Sequence, residues 1–130
     1  MPPLPSKPAT RSRRAAEGFG RRGEWLAALY LRLKLYRIVA RRFKTPVGEI
    51  DLVARRFGTT VFVEVKARQK RQSLGEALRA VNRRRLVRAA AFYLAGHPAL
   101  ATSSLRFDVI FLASKAWPRH LSNAFDASQD

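Results

Sequence analysis

Residues 48–66, with the sequence GEIDLVARRFGTTVFVEVK, decide the fold that the sequence predicts. Apolar side chains recur at every second position in two runs, Glu49–Arg55 and Thr59–Lys66, a period typical of half-buried strands. The connection between the runs is short and contains Gly58, which favours a β-hairpin. Two adjacent antiparallel strands are therefore expected at the centre of the domain.

The apolar faces of these strands predict their register. A turn centred between residues 57 and 58 pairs Leu52 with Val63 and Ile50 with Val65. The apolar side chains of both strands then share one face, as burial of that face requires.

The same register brings charged residues together on the other face. It places Asp51 directly opposite Glu64, with Lys66 two residues further along. Opposed side chains have Cβ atoms about 5 Å apart, so two carboxylates there need a cation, a raised pKa or the Lys66 ammonium as compensation. Carboxylate oxygens suit Mg²⁺ or Mn²⁺, and the lysine could orient or deprotonate water or stabilise developing charge. The alternative is a Lys–Glu pair on an exposed face of the sheet.

Further elements are predicted on both sides of the hairpin. A helix over residues 15–35 is indicated by apolar residues at three- and four-residue spacing, and the glycines at 18, 20 and 23 either delay its start or allow close packing. The other predictions are a strand at Tyr36–Phe43, a long helix at Glu76–Ala95, a strand at Leu105–Leu112 and a further short element within 114–130. The residues that indicate the first helix are Leu26, Leu29, Tyr30 and Leu33. The order αβββαβ favours a mixed sheet flanked by helices.

Length and charge limit the function classes. The chain has 130 residues, enough for one domain, and 26 Lys and Arg against 9 Asp and Glu give a net charge of +17. Such an excess predicts a polyanionic partner, with an anionic membrane surface and simple solubility as alternatives. The chain has no cysteine, so disulfides, thiolate zinc sites and cysteine nucleophiles are excluded. No apolar run is long enough to span a membrane, so no membrane insertion is expected, and a cytoplasmic location fits the composition.

Domain organisation is predicted from composition. Residues 1–14 contain four prolines, four basic residues and no acid, which is typical of a disordered basic arm. Residues 15–125 are expected to form a single domain, followed by a tail at 126–130.

A basic band follows the hairpin. From Lys66 to Arg88 there are nine basic residues and one acid, Glu76. We predict that this band binds nucleic-acid phosphates, although a solvated helix face is the simpler alternative. The predicted contacts are Arg68, Lys70, Arg71, Arg79, Arg83, Arg84 and Arg88.

Four motifs carry a family resemblance. They are Gly20-x-x-Gly23-Glu24, Gly48-Glu49-Ile50-Asp51-Leu52, Phe62-Val63-Glu64-Val65-Lys66 and Arg106-Phe107-Asp108-Val109. In this order they resemble the bacterial YraN-like family, an uncharacterised group related to PD-(D/E)xK nucleases and archaeal Holliday-junction resolvases. The resemblance runs from about residue 17 to residue 125.

The resemblance implies a restriction-endonuclease-like α/β (α+β) fold and a nuclease-like domain over residues 15–125. It implies that Asp51 and Glu64 are ligands of Mg²⁺ or Mn²⁺ and that Lys66 is the catalytic lysine. It also suggests Glu24 as an additional catalytic acid. Glu24 shares a helix face with Ala28, Leu31 and Leu35, which predicts an inward side chain, whereas a first-turn carboxylate favoured by the helix dipole is the alternative.

One position departs from the family pattern. Where the family's second long helix usually carries Lys or Gln four residues before an aliphatic residue, this chain has Asn82 before Leu86. Asn82 falls on the apolar stripe of Leu86, Ala89 and Tyr93, so it is predicted to face inward and support the site with a shorter reach. The alternative is a buried Asn satisfied by the backbone.

Two further acids stay outside the predicted catalytic set. Glu49 is a third carboxylate near Asp51, but solvation or pairing with an Arg is the favoured interpretation. Asp108 is predicted either to pair with Arg106 or to take part in the site.

These observations predict a metal-dependent, endonuclease-like protein that hydrolyses DNA phosphodiesters. The alternatives are a non-catalytic DNA- or RNA-binding module on a nuclease-like fold and a protein-interaction subunit. The expected partner is nucleic acid, DNA in the first place, and a homodimer is left open.

Overall fold

The computed structural model describes residues 11–68 and 73–127, with side chains in the first helix from Arg22 onward. The structure has an α+β fold, as predicted. Its elements are α1 (Arg11–Leu33), β1 (Arg37–Thr45), β2 (Gly48–Arg56), β3 (Thr59–Arg68), α2 (Leu74–Arg79), α3 (Arg83–Ala95), a 3₁₀ turn (Pro98–Leu100), β4 (Ser104–Ala113) and β5 (Arg119–Phe125). Each of the four predicted strands is present with its ends within two residues of prediction, and β5 is the further short element.

Five strands of the described residues form one mixed sheet in the order β1-β2-β3-β4-β5. Neighbouring strands are antiparallel except β3 and β4, which run parallel and are joined by the crossover through α2 and α3. The parallel pair matches Val63 with Asp108 and Glu64 with Val109. The central strands are covered on both faces by helices, as parallel pairing generally requires.

The predicted hairpin is confirmed. Leu52 pairs with Val63, and the turn between β2 and β3 consists of Phe57 (φ +51°) and Gly58 (φ +78°). Left-handed backbone at both central residues matches the right-handed twist of the flanking strands, which is why two-residue hairpins favour it. Gly58 adopts this conformation at no steric cost, whereas Phe57, exposed to solvent, adopts it against its preference.

Two apolar cores lie on opposite faces of the sheet. On one face, Ala27, Ala28 and Leu31 of α1 pack against a set of aliphatic side chains from the three central strands. On the other face, α3 packs Leu86, Ala89, Ala90 and Tyr93 against a set rich in aromatic rings. The strand residues on the α1 face include Leu52, Ala54, Val61, Val63, Ile110 and Leu112, and those on the α3 face include Ile50, Val53, Phe62, Val109 and Phe111.

Helix α1 differs from prediction at its start and in its buried face. It begins at Arg11, so residues 11–14 of the predicted arm are helical, while residues 1–10 lie outside the described residues. The apolar residues that indicated the helix are on its outer side: Leu26, Leu29 and Leu33 are exposed. The inner side of α1 consists mainly of small residues, since the helix lies close to the sheet. Leu35, predicted on the inner face, follows the helix end in left-handed backbone (φ +71°) and is exposed.

The predicted long helix at Glu76–Ala95 is two helices. It breaks between Arg79 and Arg83, and Asn82 is the N-cap of α3, where its Oδ1 accepts a hydrogen bond from the Arg85 N–H (3.0 Å). The prediction that Asn82 faces inward is wrong, because its side chain is exposed and turned back onto the backbone. An Asn can interrupt a helical pattern in this way by satisfying one of the free N–H groups at the start of a new helix.

A buried polar network joins β4 to β5. Asp108, fully buried, accepts two hydrogen bonds from the Arg106 guanidinium (both 2.8 Å), one from His120 Nε2 (2.6 Å) and one from the Asn123 backbone N–H (2.9 Å). The Lys34 ammonium donates to His120 Nδ1 (2.8 Å), so the imidazole proton is on Nε2. Of the two interpretations of Asp108, the ion pair with Arg106 is confirmed.

None of the described helices is long and apolar enough to cross a bilayer.

Candidate metal-dependent active site

The candidate site begins where β2 and β3 separate. Backbone pairing between these strands extends to Leu52 and Val63, and one step beyond it the Val65 N–H donates to Asp51 Oδ2 (2.7 Å). A carboxylate thus takes the place of the next backbone acceptor. This hydrogen bond holds the Asp51 carboxylate against β3 and leaves its second oxygen for another partner.

The alternation of β2 is broken at the same position. Ile50 packs in the core on the α3 face, whereas Leu52 packs in the core on the α1 face. The prediction that Ile50 shares a face with Leu52 and pairs there with Val65 is therefore wrong. The residue of β1 opposite the break is Arg42, whose φ of +50° shows that both strands are distorted there. This distortion turns Asp51 toward β3 instead of onto either face.

Three carboxylates converge at this break. One oxygen from each of Glu24, Glu49 and Asp51 lies within 4.8 Å of the other two, and all three side chains are half-buried. The structure thus brings Glu49 into the cluster, although sequence reasoning favoured a solvated role for it. We refer to these three residues as the acid cluster.

Glu64 and Lys66 lie beside the acid cluster on β3. The Glu64 side chain is buried, and the Lys66 Nζ lies 3.5 Å from its Oε1. Glu64 does not belong to the acid cluster of Glu24, Glu49 and Asp51. Its charge nevertheless reaches Asp51: burial and repulsion from Glu64 raise the pKa of the Asp51 carboxyl to about 7, against the opposing effects of the Val65 hydrogen bond and of Lys66. Asp51 and Glu64 therefore interact electrostatically, although backbone pairing ends one residue before the position where the predicted register would place them directly opposite each other.

Glu24 reaches the cluster because α1 lies very close to the sheet. A Cβ on Gly23 would lie 2.9 Å from the Ala67 Cβ and 3.3 Å from Leu112 Cδ1, so only glycine fits at this contact. The neighbouring Glu24 is thereby placed near the start of β2, beside Glu49 and Asp51. Since α1 begins at Arg11, Glu24 lies far from the first helical turn, and the helix-dipole interpretation no longer applies.

Arg42 is the residue at this site that sequence reasoning missed. Its Nε donates to Glu24 Oε2 in an ion pair, and this hydrogen bond raises the pKa of the guanidinium, with smaller contributions from Glu49 and Asp51. The signal was present in the sequence: a tight turn at residues 45–48 pairs Thr45 with Gly48 and so places Arg42 opposite Asp51. The arginine compensates part of the negative charge of the acid cluster.

The predicted phosphate-binding residues are distributed over several elements. Arg68 is exposed at the end of β3, where one Nη donates to the Ala67 carbonyl (2.9 Å), and the Arg83 guanidinium lies over the Phe125 ring. The side chains of Arg79, Arg84 and Arg88 are exposed on α2 and α3. Lys70 and Arg71 lie outside the described residues.

The start of α3 lies beside the start of β2. A Cβ on Gly48 would lie 2.7 Å from Arg85 Cδ, so the arginine stem packs directly on this glycine. Gly48 also has a φ of +145°, which disfavours other residues there. The contact places the basic first turn of α3 beside the start of β2, where Glu49 is the residue after Gly48.

The mixed sheet, with helices packed on both of its faces, defines an α+β protein. This arrangement is consistent with a nuclease-like fold. The family model "Uncharacterised protein family UPF0102" matches residues 23–112. Similar UPF0102 proteins occur in Parvibaculum lavamentivorans (53% identity over 111 residues, 85% of this chain and 84% of the relative) and Chelativorans sp. (50% over 119 residues, 89% and 94%). Another is found in Methylorubrum extorquens, with 50% identity over 122 residues and 94% coverage of both chains. The chain therefore belongs to the UPF0102 family, the YraN-like group that its motifs resemble.

Proposed function

We propose that this protein is a Mg²⁺- or Mn²⁺-dependent nuclease that hydrolyses DNA phosphodiesters in the cytoplasm. The observation that carries the proposal is the convergence of the acid cluster with the Glu64–Lys66 pair at one end of the sheet. Carboxylates collected in a chain with a net charge of +17 have no evident use in simple attraction to phosphate.

The donor set fits a hard divalent cation. Asp51 and Glu64 would hold the metal, with Glu24 and Glu49 close enough to contribute oxygens or to orient its water. The raised pKa of Asp51 supports this assignment, because repulsion between buried carboxylates is what a bound cation would relieve. When bound, such a cation neutralises charge on the phosphate and lowers the pKa of water.

Side chains of the protein would act on the attacking water, on the phosphoryl oxygens and on the flanking phosphates. The Lys66 ammonium, held by Glu64, would stabilise the negative charge that builds on the phosphoryl oxygens and would orient the attacking water. The water oxygen forms a bond to phosphorus, the ester P–O bond breaks, and the leaving oxygen receives a proton. Arg42 would compensate the charge of Glu24 while no cation is bound. The arginines at the start of α3 would bind the flanking phosphates.

The proposal is tested by a cleavage panel of duplex, flap, four-way-junction and single-stranded DNA with Mg²⁺ or Mn²⁺. We expect Glu64→Gln, Asp51→Asn and Lys66→Ala each to reduce cleavage by a factor on the order of 100 or more. The matched control is Glu76→Gln, which removes an exposed acid of α2 and should leave cleavage unchanged. Cleavage that survives in Asp51→Asn and Glu64→Gln would refute this site.

Calorimetric titration with Mn²⁺ separates the catalytic proposal from a binding module on the same fold. Mn²⁺ binding that depends on Asp51 and Glu64 is expected for the nuclease. Salt-dependent DNA binding without such metal binding would instead identify a non-catalytic module.

A further inference from the structure

A second cleft lies at the opposite end of β2 from the acid cluster. It has a volume of about 670 Å³ and is formed by the start of β1, the end of β2 and the C-terminal end of α3 with the following 3₁₀ turn. Its lining residues are Arg37, Val39, Arg55, Tyr93, His97, Pro98, Ala99 and Leu100. Arg55 follows Asp51 by four positions along the strand, which corresponds to about 13 Å.

Two arginines face each other in this cleft. Arg37 and Arg55 are direct cross-strand partners of the β1–β2 pair and both line the cleft. Their Cβ atoms are therefore about 5 Å apart, and like charges so placed destabilise a sheet unless an anion lies between them. Arg55 donates through Nη1 to Thr60 Oγ1 (2.9 Å), which orients its guanidinium. Among the described residues neither guanidinium pairs with a carboxylate, and none of the cleft's described lining residues is acidic.

The rest of the wall is aromatic and apolar. The His97 ring stacks on Tyr93 with centroids 4.1 Å apart and an interplanar angle of 13°, and His97 Nδ1 donates to the Tyr93 carbonyl (2.8 Å). Since a carbonyl accepts only, the proton is on Nδ1, and Nε2 is left able to accept a hydrogen bond. Flat rings beside a pair of guanidiniums match a base next to a phosphate.

We propose that this cleft binds the phosphate group of a nucleotide, with Arg37 and Arg55 on the phosphate and the His97–Tyr93 stack against the base. The nucleotide comes either free or as the phosphorylated end of a nucleic-acid strand, since the recognised chemistry is the same. The proposal does not depend on the nuclease assignment, because it uses none of the residues of the acid cluster or of the Glu64–Lys66 pair.

The test titrates the full chain with inorganic phosphate, thymidine 5′-monophosphate and thymidine in EDTA, so that no divalent cation contributes. Backbone-amide NMR shifts give the affinity and the location. We expect the monophosphate to bind more tightly than phosphate, thymidine to bind about tenfold or more weakly than the monophosphate, and the shifts to centre on β1, the end of β2 and residues 93–100.

Single variants then assign the roles. Arg37→Gln and Arg55→Gln should each weaken binding of the monophosphate about tenfold or more, and His97→Ala should weaken the monophosphate but not inorganic phosphate. The matched control, Arg41→Gln, removes an exposed arginine of the same strand outside the cleft and should leave the affinity close to that of wild type. Equal affinities in Arg37→Gln, Arg55→Gln and wild type, or an equal loss in Arg41→Gln, would overturn the proposal. Arg37 is exposed, so its variant tests the site even if Arg55→Gln does not fold.

A last comparison identifies the source of the phosphate and keeps the two proposals apart. Single-stranded oligonucleotides with and without a 5′-phosphate should differ in affinity if the cleft takes a strand end, whereas equal affinities would assign it to free nucleotides. Asp51→Asn should abolish cleavage and leave nucleotide binding unchanged. Loss of nucleotide binding in Asp51→Asn would overturn the independence of this cleft and hence the proposal.

Discussion

At the scale of single residues, burial and repulsion from a neighbouring carboxylate act together on one acid of the candidate site. This acid is Asp51, whose carboxylate takes the place of a backbone acceptor at the strand break. Burial and repulsion from Glu64 raise its pKa to about 7. Its neighbours include a lysine and an arginine that offset part of the charge. The high density of negative charge at the site is unfavourable, and a bound cation would compensate it.

The raised pKa of Asp51 predicts how stability depends on pH. The folded state keeps the Asp51 proton up to about pH 7, whereas the unfolded chain loses it near the ordinary aspartate pKa of 3.8, so stability falls as pH rises between these values. Asp51→Asn, which keeps an acceptor for the Val65 N–H, should remove this decline and stabilise the apo protein at pH 8 by roughly 2–4 kcal/mol. Urea unfolding at pH 4, 6 and 8 checks the effect, with Glu76→Gln as control. A variant less stable than wild type at pH 8 would contradict it.

Arg42 and the cation are predicted to compete for the acid cluster. Because Arg42 compensates Glu24, replacing it with Gln should lower the stability of the metal-free protein and raise the Mn²⁺ affinity several-fold. Calorimetric titration of Mn²⁺ into wild type, Arg42→Gln and the nearby control Arg41→Gln gives the answer. If Arg42→Gln binds Mn²⁺ more weakly than wild type, Arg42 supports the metal geometry instead of opposing the cation's charge.

At the scale of elements, the site depends on how closely α1 lies on the sheet. Gly23 permits this approach at the Ala67 Cβ, and Glu24 is the next residue. The helix buries two alanines and one leucine against the sheet and leaves three other leucines exposed, so its packing face cannot be recognised from the size of its side chains. The distance between helix and sheet thus determines whether Glu24 reaches Asp51.

Gly23→Ala tests this contact. Replacing a helical glycine with Ala ordinarily stabilises by up to about 1 kcal/mol, but the added Cβ would clash with Ala67, and overpacking costs about 1–3 kcal/mol. We expect net destabilisation by about 1–2 kcal/mol, partly relieved in the double variant with Ala67→Gly. Gly75→Ala in α2, where the added Cβ meets nothing closer than 3.5 Å, should be neutral or stabilising. Thermal unfolding of wild type and the three variants checks the prediction, and a Gly23→Ala protein as stable as wild type would refute close packing.

Asn82 is predicted to act as a cap. Asn82→Ala should destabilise by about 1 kcal/mol, since it leaves the Arg85 N–H without its acceptor, whereas Asn82→Asp and Asn82→Ser should keep most of the stability. Thermal unfolding of the three variants measures this. If Asn82→Ala changes DNA cleavage without changing stability, the residue belongs to the site after all.

At the scale of the whole molecule, three polar regions of the described residues lie at different places on the sheet. The acid cluster lies at one end of β2, the arginine cleft at the other, and the buried Asp108 network joins β4 to β5. Although burial alone would raise the pKa of Asp108, the hydrogen bonds from His120, Arg106 and Asn123 hold it below its usual range. Asp108 therefore stabilises the fold above about pH 4 and loses this effect as pH falls further.

Asp108→Asn tests the structural role of this network. The variant leaves Arg106 without its counterion and should destabilise the protein by roughly 3 kcal/mol, and this loss should shrink as the pH falls below the ordinary aspartate pKa of 3.8. Urea unfolding at pH 7 and pH 3 measures both effects. DNA cleavage below the unfolding temperature should stay unchanged, and a selective loss of cleavage in a stable variant would move Asp108 into the site.

The strands, the register of the β2–β3 hairpin up to Leu52 and Val63, and the placement of Asp51 and Glu64 on neighbouring strands followed from the sequence, because a period of two with a two-residue turn leaves few alternatives. The approach of α1, the break at Asp51 that brings in Glu49 and Arg42, and the cleft between Arg37 and Arg55 were decided by tertiary structure. Local patterns report which residues prefer burial or a strand. They do not report how far apart two packed elements lie, or where a strand departs from regular alternation, and both depend on contacts between residues distant in sequence.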